Sequence, residues 1–126
     1  MQLTTLEGFA PTGFHVPTDA EWSTLTACLG GYSVAGGELK EAGTSHWNSP
    51  NWGATNSTGF TGLPGGYRHF DGSFLLNDLG HIGIMWSSSG ANATLAWLRF
   101  LVDNLPDIGR NFYDKVDGMS VRCIKD

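Results

Sequence analysis

The stretch that most constrains the fold lies at the centre of the chain, at residues 59–68, where the sequence reads GFTGLPGGYR. It contains four glycines and one proline around three large side chains, those of Phe60, Leu63 and Tyr67. Glycine allows positive φ and close backbone contact, whereas proline fixes φ and has no amide hydrogen to donate. These properties disfavour a helix or a regular strand, so the pattern predicts an irregular, sharply bent segment packed beneath aromatic side chains.

Size and charge limit the class of protein. The chain has 126 residues, of which 40% are hydrophobic and 15% are charged, and its formal net charge is −5. This length fits one domain, residues 1–126, with a core of its own. The negative balance argues against nucleic acid, because phosphate binding requires an excess of lysine and arginine, and against an anionic membrane surface. Membrane insertion is not expected either, since no run approaches the roughly 18 apolar residues of a spanning helix.

The clearest local signal is an amphipathic helix, predicted over residues 18–29. Thr18 and Glu21 fit a capping box at its start, and two glycines after it supply the stop. A buried face at i, i+3, i+4 and i+7 is formed by Trp22, Leu25, Thr26 and Leu29. A shorter second helix is predicted over residues 35–42, with Leu39 as its apolar anchor.

The second half of the chain reads as strands joined by turns. Strands are predicted at residues 81–86 and 94–102, and a polar turn rich in serine and asparagine at residues 87–93 separates them. Two hairpins are predicted as well, each with an Asp-Gly pair at its turn. They cover residues 69–77 and 112–124.

Two cysteines, Cys28 and Cys123, lie near opposite ends of the chain. A bridge between them would close a loop of about 95 residues and stabilise the fold by roughly 4–5 kcal/mol in the chain-entropy model. Two free thiols are the alternative, because cysteine is often buried without a chemical role. The residues alone leave both arrangements open. Neither the cysteines nor the four scattered histidines have the spacing of a metal site, so the spacing predicts no zinc centre.

Short motifs follow one another in a recognisable order along nearly the whole chain. They are GFHVPTDAEW at 13–22, LK at 39–40, WN at 47–48, GATN at 53–56, GF at 59–60, LPGGYR at 63–68, WSSS at 86–89, AWLR at 96–99 and GMSVRC at 118–123. Together they resemble the Fibrobacter succinogenes major paralogous domain. That family is similar to formylglycine-generating-enzyme-like domains and hence to the C-type-lectin-like fold. The resemblance implies an α+β fold of one main helix and a short second helix, packed on short twisted antiparallel sheets with long loops.

The resemblance also bears on the cysteines and on cofactors. C-type-lectin-like domains commonly link the first helix to the last strand, where Cys28 and Cys123 fall, so the resemblance favours the bridge. The formylglycine-generating relatives are oxidases that need a copper-binding cysteine pair near the end of the chain, and here only Cys123 lies there. Catalysis and a bound cofactor are therefore not expected. Calcium is the ion that lectin-like loops can hold, although the chain has no Asp-x-Asp-x-Asp or Glu-Pro-Asn run.

A polar loop at residues 44–58 offers candidates for ligand binding. Exposed aromatic rings stack on sugar faces while neighbouring amides hydrogen-bond the hydroxyls, and Trp52 lies between Asn51 and Gly53 in the middle of this loop. A lectin-like topology would bring the residue 86–92 segment to the same side. The predicted ligand-binding residues are Trp52, Asn51, Asn48, Asn56, Trp86 and Asn92.

The remaining aromatic and arginine residues have a more common structural interpretation. Large aromatic side chains usually dominate cores. This role is the more frequent one for Trp22, Trp47, Trp86 and Trp97. Arginines within apolar blocks usually pair with carboxylates or cap carbonyls. Arg68, Arg99 and Arg122 fall in such blocks and are assigned to the scaffold.

The sequence thus predicts a noncatalytic recognition or adhesion module that binds a glycan or a surface protein through its loops, at residues 47–58, 69–78 and 87–93. Its expected location is extracellular, at the surface of a bacterium or of a phage. Residues 1–10 lack signal-peptide features, so an export signal would lie outside this sequence; they read as an edge strand or a loosely ordered terminus. One alternative is an assembly domain of a surface or phage fibre, covered by a partner subunit or a second copy. The other, disfavoured by the lone Cys123, is a formylglycine-generating-like enzyme.

Overall fold

The computed structural model describes residues 9–74 and 78–126 and shows an α+β fold. Its elements are β1 (Phe14–His15), α1 (Asp19–Cys28), α2 (Tyr32–Leu39), β2 (Ile82–Gly90), β3 (Leu95–Val102), β4 (Ile108–Asp114) and β5 (Ile124–Lys125). β1 pairs with β5, and β2, β3 and β4 form an antiparallel sheet in that order. The predicted α+β class with small antiparallel sheets is therefore confirmed. The prediction for the N-terminal segment falls largely on residues 1–8, which lie outside the described residues. In the described part of the chain no helix has the length and apolarity needed to span a membrane.

The capping box predicted for α1 is present. The Thr18 hydroxyl accepts a hydrogen bond from the Glu21 amide at 3.1 Å, and the Glu21 carboxylate accepts one from the Thr18 amide at 2.9 Å. Both donors would otherwise lack partners at a helix start. The predicted inward face is also confirmed, since Trp22 and Thr26 are buried and Leu25 packs against the same core cluster.

The second helix begins earlier than the sequence pattern predicts. It runs over Tyr32–Leu39, directly after Gly31, whose φ of 102° lets the chain turn at once from α1 into α2. Two buried glycines allow α2 to approach its neighbours. A Cβ atom on Gly36 would lie 1.9 Å from the Asp107 carbonyl oxygen, and one on Gly37 would lie 2.2 Å from the Gly53 carbonyl oxygen.

Strand β2 is longer than predicted, because the expected turn at residues 87–93 begins only after Gly90. The pairing with β3 continues from Trp86 opposite Leu98 to Gly90 opposite Ala96, with an irregularity between these pairs. Ser87 is buried there, and its hydroxyl donates to the Trp97 carbonyl at 2.9 Å. A serine that finds a partner inside a sheet is compatible with a strand, which explains why the polar composition was misleading.

The hairpin predicted over residues 112–124 is wrong. Strand β4 pairs with β3 instead, from Leu95 opposite Asp114 to Leu101 opposite Ile108. Residues 118–123 form no regular strand, and Gly118 makes only an isolated bridge to the residue 59–68 segment. The Asp-Gly turn signal is local, whereas the pairing that forms is a long-range one between β4 and residues 95–101 of β3. Of the hairpin predicted over residues 69–77, the described residues show one bridge, between Arg68 and Phe74. Residues 75–77 lie outside the described part of the chain.

The central segment, residues 59–68, is irregular as predicted and joins the helical half to the sheet. The Gly62 amide donates to the Leu39 carbonyl at 2.8 Å, and the Gly66 amide donates to the Ile82 carbonyl at 2.8 Å. The indole of Trp47 donates to the Gly62 carbonyl at 2.9 Å. A Cβ atom on Gly62 would lie 2.8 Å from a Leu101 methyl group, so glycine is needed for this close contact.

The predicted bridge between Cys28 and Cys123 is not formed, and both cysteines are free thiols. Cys28 is exposed at the end of α1, because the buried face of that helix is occupied by Trp22 and Thr26 and residue 28 points elsewhere. Cys123 is half-buried beside an apolar cleft that Trp22 also lines. The two thiols therefore lie in different surroundings.

Candidate functional site

Trp52, the leading sequence candidate, is 62% exposed. Its exposure confirms one part of the prediction, whereas its role in ligand binding stays a prediction. The backbone below the ring is fixed, because the Trp52 amide donates to the Asp103 carbonyl at 2.7 Å and the Trp52 carbonyl accepts from the Lys40 ammonium at 2.8 Å. An exposed ring on a rigid backbone can serve as a contact surface.

The residue that holds this loop is Lys40, which is fully buried. Its ammonium also donates to the Val102 carbonyl at 2.9 Å and to the Leu105 carbonyl at 3.0 Å. Burial lowers the pKa of Lys40 to about 8, and the nearby charge of Asp103 opposes that shift. Sequence reasoning missed this role, since a lysine after Leu39 has no local feature that distinguishes it from a solvated one.

Two of the predicted ligand-binding residues are structural, which corrects the prediction. Asn51 is only 6% exposed, and its side-chain amide donates to the Glu41 carbonyl at 2.8 Å and the Gly43 carbonyl at 2.6 Å. Trp86 is 3% exposed and packs in the core with Ile84. Neither side chain is presented to a ligand.

Two of the other predicted asparagines, Asn56 and Asn92, are used by their own turns. Asn56 accepts a hydrogen bond from the Thr61 amide at 2.8 Å and donates to the Thr61 hydroxyl at 2.9 Å. Asn92 accepts from the Thr94 and Leu95 amides, both at 2.9 Å. Asn48 is exposed, with its side chain against Gly80. These contacts define loop shape and leave little of Asn56 for a ligand.

The predicted residues do not form one site. Trp52 bonds to Asp103, just beyond the end of β3, whereas Asn92 bonds to Leu95 at the start of the same strand. Eight residues of extended chain separate these positions by about 26 Å, since a strand rises roughly 3.3 Å per residue. Trp52 and Asn92 therefore lie at opposite ends of the sheet.

A different surface combines exposed aromatic rings in a concave site, which we call the aromatic groove. It has a volume of about 430 Å³. Its walls are Tyr67, His69, Phe70, Leu95, Phe112, Tyr113, Asp114 and Asp117. The residue 67–70 part begins at the end of the central segment and continues beyond it, and the residue 112–114 part is the end of β4. Four of its eight residues are thus Tyr or Phe, and two are Asp.

Contacts between side chains fix the walls of the groove. The Tyr67 hydroxyl lies 3.0 Å from Nε2 of His69, and the centres of these two rings are 4.7 Å apart. Tyr67 also contacts the Tyr113 ring at a centre distance of 5.8 Å. Phe112 meets the Trp97 ring edge-on at 5.2 Å, on the opposite face of β4 from Tyr113. The Phe70 ring is 73% exposed, so its face is open to a ligand.

The groove has a negative electrostatic environment. Asp117 is buried, and its carboxylate accepts a hydrogen bond from the Phe70 amide at 2.9 Å. Burial raises the pKa of the Tyr67 hydroxyl, and Tyr113, Asp78 and Asp117 raise it further. An arrangement of aromatic faces beside carboxylate acceptors can stack on planar or ring-shaped groups and can accept hydrogen bonds from hydroxyl or ammonium groups.

The sequence indicated only one side of this groove. The loop at residues 69–78 was predicted to present ligand contacts, and Tyr67 was singled out as an apolar anchor. Phe112 and Tyr113 were assigned to a hairpin with residues 119–124, which concealed them as groove residues. Within the described residues, no group of three or more His, Cys, Asp and Glu side chains is placed to hold a metal ion.

Comparison with known proteins identifies the family of the chain. No curated protein and no solved structure matches it. The family model described as the Fibrobacter succinogenes major domain matches residues 2–125, which is nearly the whole chain. The motifs spread from Gly13 to Cys123 lie within that match. The chain therefore belongs to the Fibrobacter succinogenes major domain family.

Proposed function

We propose that this protein is a noncatalytic recognition module that binds a glycan in the aromatic groove. The observation that carries the proposal is the convergence of Tyr67, Phe70 and Tyr113 beside the Asp117 carboxylate in one concave surface. Sugar rings present apolar C–H faces and a rim of hydroxyl groups. Aromatic faces can pack against the C–H faces, and carboxylate oxygens can accept hydrogen bonds from the hydroxyl groups.

The size and stiffness of the groove support this ligand class. Its volume of about 430 Å³ falls within the range of roughly 300–1,000 Å³ that small-ligand sites occupy. Tyr113 is carried by β4 and Tyr67 is packed between His69 and Tyr113, so both rings are held before a ligand arrives. Preorganised rings lose little conformational entropy on binding.

We further propose that the scaffold is C-type-lectin-like and that it acts outside the cell, on a bacterial or phage surface. The order of helices followed by an antiparallel sheet, with long loops and an irregular central segment, is compatible with such a scaffold. The surface location rests on the kind of ligand proposed. Recognition of glycans or surface proteins is most useful where those molecules are displayed.

A second candidate function is assembly with a partner subunit or another copy of the chain. Apolar side chains around the groove favour it, since Phe74 and Val116 are more than half exposed. Exposed apolar patches often mark protein interfaces. Light scattering separates the two candidates, because a monomer with intact glycan binding supports recognition, and an oligomer that buries the groove supports assembly.

The test of the recognition proposal is a glycan array with matched variants. Phe70→Ala should weaken glycan binding about tenfold or more, which corresponds to about 1.4 kcal/mol. The fold should be unaffected, because the Phe70 ring is exposed and its hydrogen bond to Asp117 uses the backbone amide. Phe74→Ala is the control, since Phe74 is also exposed but does not line the groove.

Trp52→Ala tests the rival surface. Binding should survive this change, because Trp52 lies at the opposite end of β3 from the groove. Loss of binding in Trp52→Ala with full retention in Phe70→Ala would move the site to the residue 47–58 loop. An array on which the wild-type protein binds no glycan would contradict the proposed function itself.

A further inference from the structure

Asp117 in the wall of the aromatic groove is an unusual carboxylate. It is 8% exposed, and its one hydrogen bond to a described residue is the 2.9 Å contact from the Phe70 amide. A carboxylate has two oxygens with about four acceptor sites in total. Burial of such a charge is costly unless it is paired and hydrogen-bonded. Neither oxygen of Asp117 is among the buried side-chain atoms that lack a partner in the described residues, so its free acceptor sites are open to solvent and to a donor that carries positive charge.

No cation from the described part of the chain supplies this pairing. Neither Asp114 nor Asp117 is among the residues that form ion pairs within 4.0 Å. The ammonium of Lys115 is directed towards Gly90, 3.4 Å from where a Cβ atom on that glycine would lie. Arg68 lines a neighbouring cavity together with Asp117, but its guanidinium donates to the Gly72 carbonyl at 3.2 Å and forms no ion pair with Asp117 within 4.0 Å.

The aromatic walls favour a cation as well. The face of a Tyr or Phe ring carries negative electrostatic potential and attracts ammonium groups within about 6 Å of its centre. Phe70 in the groove wall is 73% exposed, and its amide lies against the Asp117 carboxylate. The raised pKa of Tyr67 agrees with a negative field, because Asp117 and Asp78 contribute to it.

We propose that the aromatic groove binds a protonated amine, and that the ligand of this protein is a glycan with free amino groups, one of which pairs with Asp117. The inference rests on the proposed glycan-binding function and names its ligand class. The sugar rings stack on the aromatic walls, and the ammonium group takes the acceptor sites of Asp117 that the Phe70 amide leaves open.

The experiment compares three linear tetrasaccharides of β-1,4-linked units by calorimetry: glucosamine, N-acetylglucosamine and glucose. The titrations are made at about pH 5.5, below the pKa of an ordinary amino group. The glucosamine tetramer should bind about tenfold tighter than the other two, a difference of the size expected for one well-placed charge pair. Asp117→Asn should reduce this preference to about twofold or less and leave the affinity for the glucose tetramer nearly unchanged.

Salt provides a second readout that does not depend on folding of the Asp117 variant. Raising the salt concentration from about 0.05 to about 0.5 M should weaken binding of the glucosamine tetramer several-fold and spare the glucose tetramer. Equal affinity for the amine-bearing and neutral tetramers, lost in Phe70→Ala, would overturn the amine inference and leave glycan recognition standing. Absence of binding for all three tetramers and on the glycan array would overturn both.

Discussion

Replacing Asp19 by alanine should destabilise the protein by about 3–5 kcal/mol, the range found when one partner of a buried ion pair is removed. Arg99 is fully buried, and its guanidinium donates to the Asp19 carboxylate at 2.7 Å. Its other hydrogen bonds are to neutral groups, namely the Asp19 carbonyl and the Ser23 hydroxyl, both at 3.1 Å, and the Leu98 carbonyl at 3.2 Å. The variant therefore leaves a buried charge without its counterion. Urea denaturation measures the loss.

Arg110→Ala is the matched control for this pair. Arg110 donates to both oxygens of the same carboxylate, at 3.0 and 2.8 Å, and its guanidinium lies 3.6 Å from the centre of the Trp97 ring. Since Arg110 is exposed, its removal should cost only about 1 kcal/mol. Equal losses of stability in Asp19→Ala and Arg110→Ala would contradict the assignment of Arg99 as the dominant partner.

The same carboxylate predicts an acid dependence of stability. The Arg110 guanidinium, together with that of Arg99, holds the pKa of Asp19 below its ordinary value of 3.8. The contribution is therefore fully present above about pH 4 and is lost as the pH falls through the lowered pKa of the folded state. Unfolding free energies measured across this range should fall more steeply for the wild type than for Asp19→Ala.

Lys40→Met should lower the free energy of unfolding by roughly 3 kcal/mol. Each buried carbonyl left without a donor costs about 1–3 kcal/mol, and removal of a buried charge offsets part of that cost. Three carbonyls lose their donor, those of Trp52, Val102 and Leu105. Methionine keeps most of the side-chain volume, so the measured loss reports on the hydrogen bonds.

Lys125→Met is the control, since Lys125 is exposed on β5 and should change stability by less than about 0.5 kcal/mol. The Lys40 variant should also make the backbone amide of Trp52 exchange hydrogen faster, because the loop loses its second tether. Unchanged stability together with unchanged exchange at Trp52 would show that Lys40 does not hold the loop.

Local signals in the sequence predicted the parts of the fold that depend on neighbours along the chain. The capping box at Thr18, the apolar spacing from Trp22 and the glycine-rich central segment each appear in the structure as predicted. The partner of β4 was not predictable in this way. The long pairing of β4 with β3 forms in place of the hairpin with residues 119–124 that the Asp-Gly turn suggested.

The site depends even more on long-range contacts. Tyr67 and Tyr113 lie in contact although they are far apart in sequence, and only the pairing of β4 with β3 brings them together. Asn51 resembled a ligand contact because its neighbours are polar, yet its amide is consumed by two backbone carbonyls. Composition shows that a side chain can bind a ligand but does not show whether its own fold already uses it.

The central claim is that ligands bind in the aromatic groove and not at Trp52. Amide NMR spectra of isotope-labelled protein, recorded during titration with a glycan identified by the array, test it most directly. The account predicts that the largest shift changes fall on Phe70, Tyr113 and Asp117, with Trp52 and Leu105 unchanged. Shift changes centred on Trp52 and Leu105, with no shift changes at the groove residues, would contradict it.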